Sequence, residues 1–346
     1  MPKPTILSLI RILLSASVLG GFNCIAVPTL INGPMPTAST MNEVLIWAQT
    51  SEPAEIYIEY WPENSDPSQS LTSTPVRSSP ETAHVAKVLV TEGIQPGQRY
   101  SYRVFLDGIA QDLYFRNVYR SREKIPMTFQ AKPRWRFVPD GDVSHRIFDF
   151  RIAAGSCAYI NENGYDREGG KPYGDAYHIF ESIYEKQPNL MIWLGDAVYY
   201  RENDFESRSG MIHRWTHDRS IPELRALLAN THHFAIWDDH DYGLNDAGRD
   251  FKMKEESAQL FFQAFNFPKH HEAKKTPGVY HSRIVGPNGK RVQFIMLDTH
   301  YFRSPLKKIK EGKRKVYQIE KGPDATILGK IQWQWLEAQL KKAHTN

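Results

Sequence analysis

The spacing of apolar and polar positions changes character once along the chain. Between residues 27 and 140, apolar residues recur at every second position in "EVLIWAQT", "AEIYIEYW", "HVAKVLVT" and "RYSYRVFLDG". That period sends successive side chains to opposite faces of a strand, one buried and one wet. Turn-forming stretches separate the runs: "SEPA", "GIQPG" and the polar, Ser/Pro-rich "PENSDPSQSLTSTPVRSSPET". Short strands at close spacing, with no helical period between them, predict an all-β sandwich of the fibronectin III or immunoglobulin type.

From residue 146 strand and helix patterns alternate. "FDFRIAAGSC", "NLMIWLGDAVYY", "HFAIWDDHDYG" and "RVQFIMLDTHYFR" read as four buried strands. "YGDAYHIFESIYEKQ" places Tyr177, Phe180, Ile183 and Tyr184 on one helical face, and "IPELRALLAN" and "KEESAQLFFQAF" also read as helices. "ILGKIQWQWLEAQLKKA" predicts an amphipathic helix with Ile331, Trp335 and Leu336 inward. The alternation predicts an α/β layered domain over residues 146–346.

The N-terminus follows neither pattern. Lys3 and Arg11 lead into the apolar run Ile12 to Ile25, and Cys24 and Ala26 are small enough to precede a cleavage point. Residues 1–26 therefore read as a signal peptide, and the protein as exported to a periplasm or the exterior. The run is too short to span a bilayer, and no later one is apolar enough, so no transmembrane span is expected after cleavage. Charge adds little: 43 basic residues against 39 acidic give a net +4, with no basic block and so no nucleic-acid-binding signal. Cysteine adds more. Cys24 departs with the signal, and Cys157 is left without a disulfide partner. An unpaired thiol in an oxidising compartment is either a small buried apolar residue or a metal ligand.

The predicted strands all end in polar residues: Cys157; Asp196 and Tyr199; Asp238, Asp239, His240 and Asp241; Asp298 and His300. In open α/β sheets such ends line the ligand crevice. The carboxylates and imidazole of "WDDHD" suit a cation, although a solvated turn capped by Asp239 or Asp241 satisfies them too. In "GDAVYY", Gly195 permits a tight turn while Asp196 and Tyr199 offer hard oxygen donors. Arg201 and Arg303 are candidates to bind phosphate oxygens, with surface ion pairing as the alternative.

Taken in order, "GSC", "WLGDAVYY", "IWDDHDYG", "MLDTHYFR" and "ILGKIQWQWLEAQL" resemble the alkaline phosphatase D (PhoD-like) branch of the calcineurin-like metallophosphoesterases. "IWAQT" and "PGQRYSYRV" resemble that family's N-terminal module. The resemblance implies a metallophosphoesterase-type α/β/β/α sandwich, partial here, preceded by a fibronectin III-like domain. It implies iron held by Cys157, Asp196 and Tyr199. Asp196 would bridge to a second metal, often calcium in relatives, to which Asp239 contributes; zinc, manganese and magnesium are further options. His240 would be the catalytic residue that protonates the leaving group or steadies the transition state. Asp238, Asp241 and Asp298 would support the ligands from behind, and the substrate would be a small phosphate ester. His300 stands where the family pattern has arginine. No Gly-Asp-x-His element follows Leu328, so residues 146–346 are expected to form the N-terminal part of a catalytic domain, with weak or no activity alone. Two classes remain open: an exported metal-dependent phosphatase or phosphodiesterase, and a non-catalytic exported metal-binding or adhesion module.

Overall fold

The computed structural model describes residues 27–40, 42–115, 123–130, 151–166, 172–173, 175–285, 291–311, 314–318 and 322–342. The signal peptide expected over residues 1–26 lies outside them, as do residues 148–150 of the first predicted α/β strand.

The N-terminal domain is all-β. One antiparallel sheet has the order β1 (Leu30–Ser39), β2 (Val44–Thr50), β6 (Val85–Val90). The second runs β4 (Leu71–Thr72), β3 (Glu55–Pro62), β7 (Arg99–Leu106), β8 (Ile109–Gln111), with β5 (Val76–Arg77) on β3 and β9 (Thr128–Gln130) on β7. The alternation seen in the sequence sets the core: Ile56, Ile58 and Tyr60 of β3 are buried together with Val88 and Val90 of β6 and Val104 of β7. Strand β1 was not apparent from periodicity, because "LINGPMPTAS" carries a glycine and two prolines. It pairs with β2 through three register shifts, the irregularity an edge strand tolerates.

Strand β2 is buried on both faces because its sheet packs against the second domain. Asn32 and Gln49 donate to the carbonyl and hydroxyl of Thr216 at 3.1 and 3.0 Å, and Asn266 donates to the Thr37 hydroxyl at 2.6 Å. The buried Arg219 guanidinium sits between the rings of Trp47 and Phe265, 5.4 and 5.0 Å from their centroids. Burial pushes it down to about 9.

The second domain carries a parallel sheet of β10 (Ile152–Gly155), β11 (Leu190–Leu194) and β12 (His232–Ile236), in that order. Its helices are α1 (Ile179–Glu185), α2 (Arg208–Arg219), α3 (Arg225–Asn230), α4 (Asp239–Tyr242), α5 (Lys254–Ala264) and α6 (Gly329–Lys341). Hairpins β13 (His281–Val285)–β14 (Val292–Met296) and β15 (Lys307–Glu311)–β16 (Arg314–Gln318) complete it. Among the described residues, no helix is long and apolar enough to cross a membrane.

Three expectations need correction. The strand in "RVQFIMLDTHYFR" is not a fourth member of the parallel sheet; among the described residues β14 pairs only with β13, antiparallel. Tyr177 is not on α1: it precedes the helix in a left-handed conformation, φ 55°, where its hydroxyl accepts from Asn161. Helix α2 has no apolar stripe to read, because it buries Arg214, Asp218 and Arg219 beside Met211 and Trp215. On α6, Ile331 faces outward with 51% of its surface exposed, and Gln332 takes the inward place. The Gln332 carboxamide brackets the Asp298 backbone, accepting from its N–H and donating to its carbonyl, each at 2.8 Å.

Candidate metal centre

Two strand-end turns bring the donors together. Strand β11 runs into Gly195, whose φ of +97° lies in the left-handed region. A Cβ there would stand 2.4 Å from the Asp238 Cβ and 2.8 Å from its backbone N. Only glycine lets the two loops approach this closely. Cys157 and Asp196 also adopt left-handed backbone, φ 61° and 52°, without glycine's freedom. Such strain clusters where a site needs its side chains aimed. The turns are tied to each other: Cys157 N–H donates to Gly195 O at 3.3 Å, and Ala158 N–H to Asp196 O at 2.9 Å.

Asp196 is the centre of the cluster and is 5% exposed. Its Oδ2 accepts from the Tyr199 hydroxyl at 2.9 Å and lies 3.6 Å from the Cys157 thiol, while its Oδ1 accepts from the His240 N–H at 3.2 Å. One donor atom each from Asp196, Asp239 and His240 lie within 4.8 Å of one another. The Tyr199 and His240 rings are 4.3 Å apart, and Asp239 Oδ2 accepts from Asp246 N–H at 2.7 Å. Cys157 is exposed, which sets aside the alternative of a small buried apolar residue.

The electrostatics agree with a site for a cation. Burial, reinforced by the charge of Asp239, holds the Asp196 carboxyl above its ordinary value despite the donors around it. Burial also pushes the Tyr199 phenol well up, with Cys157 and Asp196 adding to the effect. A bound cation reverses both trends, because its charge favours carboxylate, phenolate and thiolate. The residues present thus fit a metal ion through thiol, phenol, carboxylate and imidazole donors.

The other acids hold these donors in place. Asp241 is fully buried, and accepts from Ala197 N–H at 3.1 Å and from Asp238 N–H at 2.7 Å. With Asp238 it closes a capping box over α4. Asp238 lies 2.6 Å from His300 Nε2, and that hydrogen bond lowers its carboxyl below the ordinary value. Asp298 forms a turn: its carboxylate accepts from the N–H groups of His300 at 3.0 Å, Tyr301 at 2.9 Å and Val279 at 3.0 Å.

The two arginines differ. Arg201 is 8% exposed, pairs with Asp166 at 2.7 Å and donates to the carbonyls of Ile160 and Tyr199. Its guanidinium also covers the Tyr159 ring at 4.4 Å, and that ring packs on Tyr199 at 4.8 Å. Such a committed group is not free for a phosphate, so its expected substrate contact gives way to a role in propping Tyr199. Arg303 donates to Ala247 O at 2.9 Å through one nitrogen, while its Nε is buried without a partner among the described residues.

Sequence reasoning passed over Asp218, which is buried and whose Oδ2 lies 3.3 Å from the Tyr199 N–H. Arg214 ties it to Asp204 and Glu162, at 3.3, 2.8 and 2.8 Å respectively. The i,i+4 spacing of Arg214 and Asp218 was the available signal.

The family model for PhoD-like phosphatases matches residues 152–346, and the chain belongs to that family. A second model, a domain of unknown function (DUF7800), matches residues 27–113. The chain is 25% identical over 285 residues to alkaline phosphatase D of Bacillus subtilis (strain 168), which covers 74% of this chain and 45% of that protein. It shares its fold with a solved structure of PhoD, at TM-score 0.59 and 18% identity over 90% of this chain and 59% of the other. The chain thus spans about half the length of the relatives it matches.

Proposed function

We propose that this chain carries the metal-binding part of an exported, metal-dependent phosphoric ester hydrolase acting on a small phosphate ester. The observation that carries the reading is the convergence of Asp196, Asp239 and His240 donor atoms within 4.8 Å, beside Cys157 and Tyr199. Cys157, Asp196 and Tyr199 would hold iron, the cation best suited to combined thiolate and phenolate. Asp196 and Asp239 would share a second ion, calcium or another divalent metal. When bound, the metals supply a water acidified for attack and positive charge for the phosphate oxygens.

The protein's own groups do the rest. His240 is held by ring contact with Tyr199 at 4.3 Å and is partly exposed, a placement suited to giving a proton to the leaving alkoxide. Arg303, whose charge lowers the Asp238 carboxyl beside the site, is the candidate guanidinium for a phosphate oxygen. Residues 1–26 would direct export, and residues 27–140 would form a fibronectin III-like support for the α/β domain.

Metal analysis paired with p-nitrophenyl phosphate turnover tests this. Wild-type protein should retain iron, the Asp196→Asn and Cys157→Ser variants should lose it, and His240→Ala should cut any turnover at least a hundredfold with metal retained. Absence of bound metal in the wild type refutes the reading. Metal without turnover, here and in any longer version, replaces it with a non-catalytic metal-binding module.

A further inference from the structure

A cleft of about 560 Å³ opens where the β-domain meets the α/β domain, away from the metal centre. Its volume falls within the usual range for small-molecule sites, ~300–1,000 Å³. One wall is a single face of α5, running from Glu255 through Phe262 to Gln263 at the i, i+3, i+4, i+7, i+8 spacing. The opposite wall comes from β6 and the turn before it, and Lys274 closes one side.

The charge in this cleft is unbalanced. Lys87 leaves β6 on the side that faces the α/β domain, since its neighbours Ala86 and Val88 point into the sandwich. Lys274 donates to Phe267 O at 2.9 Å and stands 5.7 Å above the Phe262 ring. Among the described residues neither ammonium has a carboxylate within ion-pair distance. Glu255, the one carboxylate in the described lining, accepts from the Tyr301 hydroxyl instead. Burial and the nearby charge of Lys274 push the Lys87 ammonium down to about 8, and burial lowers Lys274 as well. Lys87 is partly desolvated with no acid paired to it, and Lys274 stands exposed at the side of the cleft; two like charges placed together favour an anion that joins them. Between them lies an apolar floor of Val85, Ala258 and Phe262.

We propose that this seam is a second binding site, for an organic dianion whose charged head bridges Lys87 and Lys274 and whose apolar body rests on Phe262. Because its walls come from both domains, the ligand would fasten them together.

Calorimetric titration of the full chain with phenylphosphonate tests the site, the probe having a dianionic head and a ring that no esterase step consumes. Saturable binding is expected, weakened at least tenfold in Lys87→Met and in Lys274→Met and kept within threefold in Lys87→Arg. The binding component lost in the lysine variants should persist in Asp239→Asn, which separates the cleft from the metal centre, where a phosphonate binds on the hydrolase reading, and from that reading itself. Inorganic phosphate and benzoate, carrying only the head or only one charge with the ring, should each bind at least tenfold more weakly. A second readout needs no variant: phenylphosphonate should protect Lys87 and Lys274 from acylation at pH 8, read by peptide mass spectrometry. No binding, binding lost in Asp239→Asn but not in the lysine variants, benzoate equal to phenylphosphonate, or no protection of either lysine overturns the proposal.

Discussion

His300 and Asp238 meet at 2.6 Å across 62 residues of sequence, and the other ring nitrogen of His300 faces the Ala247 carbonyl at 2.9 Å. The two ring nitrogens thus span two acceptors, one from the segment after β12 and one from the loop after α4, and the ring holds those loops together. Replacing His300 by Ala should cost about 1–2 kcal/mol, a modest value because Asp238 is half-exposed. Urea unfolding measures it, and His300→Gln, which keeps one donor, should recover part of the loss. An unchanged midpoint for both variants refutes the assignment.

Gly195→Ala should be worse. The new methyl meets Asp238 at 2.4 Å on a backbone with φ +97°, so strain and overlap together should cost roughly 2–5 kcal/mol. Metal content should fall with stability, because the displaced loop carries Asp239 and His240. Thermal unfolding with metal analysis checks both, and wild-type values in either one contradict the geometry.

Arg214→Met removes the partner of Glu162, Asp204 and Asp218 while keeping the volume of the stem. Asp204 is then a buried carboxylate without a cation, while Asp218 keeps Arg201 at 3.9 Å and His217 at 2.8 Å; the loss should cost about 3–5 kcal/mol. Adding Asp218→Asn should return part of this loss, as expected of coupled neighbours. Strict additivity in the double-mutant cycle is the contrary result.

Acid should unfold the protein through buried neutral histidines. His233 accepts from the Trp193 indole at 3.0 Å, and burial pushes it down to about 3. His281 is likewise pushed down to about 3 by burial. The unfolded chain binds protons on both near pH 6.5, whereas the folded chain resists until near pH 3. Stability attributable to these groups is therefore complete above about 6.5 and lost as pH falls towards 3. The slope should approach ~1.4 kcal/mol per pH unit for each histidine. Urea titrations from pH 7 to 4 measure it, and His233→Phe should flatten the curve; an equal slope in that variant removes His233 from the account.

The β-domain strands β2, β3, β6 and β7 were legible because period 2 survives in the sequence, and in β3 and β7 it matches the alternation of burial. Cys157, Asp196, Tyr199, Asp239 and His240 were legible because polar residues after apolar strands stand out. Strand β1, whose pairing partner lies across bulges, was not. Helix α2 escaped because its inward face is built from Arg214, Asp218 and Arg219, whose partners are fixed only by the tertiary structure. The same reason hid Gln332, whose side chain replaces the Ile331 contact that amphipathicity predicts, and placed Asp298 in a turn.

The "WDDHD" segment separates scaffold at its flanks from candidate donors at its middle. Asp238 and Asp241 are spent on the capping box and on His300, so the main fastenings of the turn do not pass through the two side chains between them; Asp239 adds one bond, from the Asp246 N–H at 2.7 Å. Residues 239 and 240 are consequently a replaceable cassette. Exchanging Asp239 for His or Glu, or His240 for Asp or Asn, changes donor softness and charge without unravelling the loop that presents them. On the proposed reading, the metal preference of this site would then be open to change through two codons.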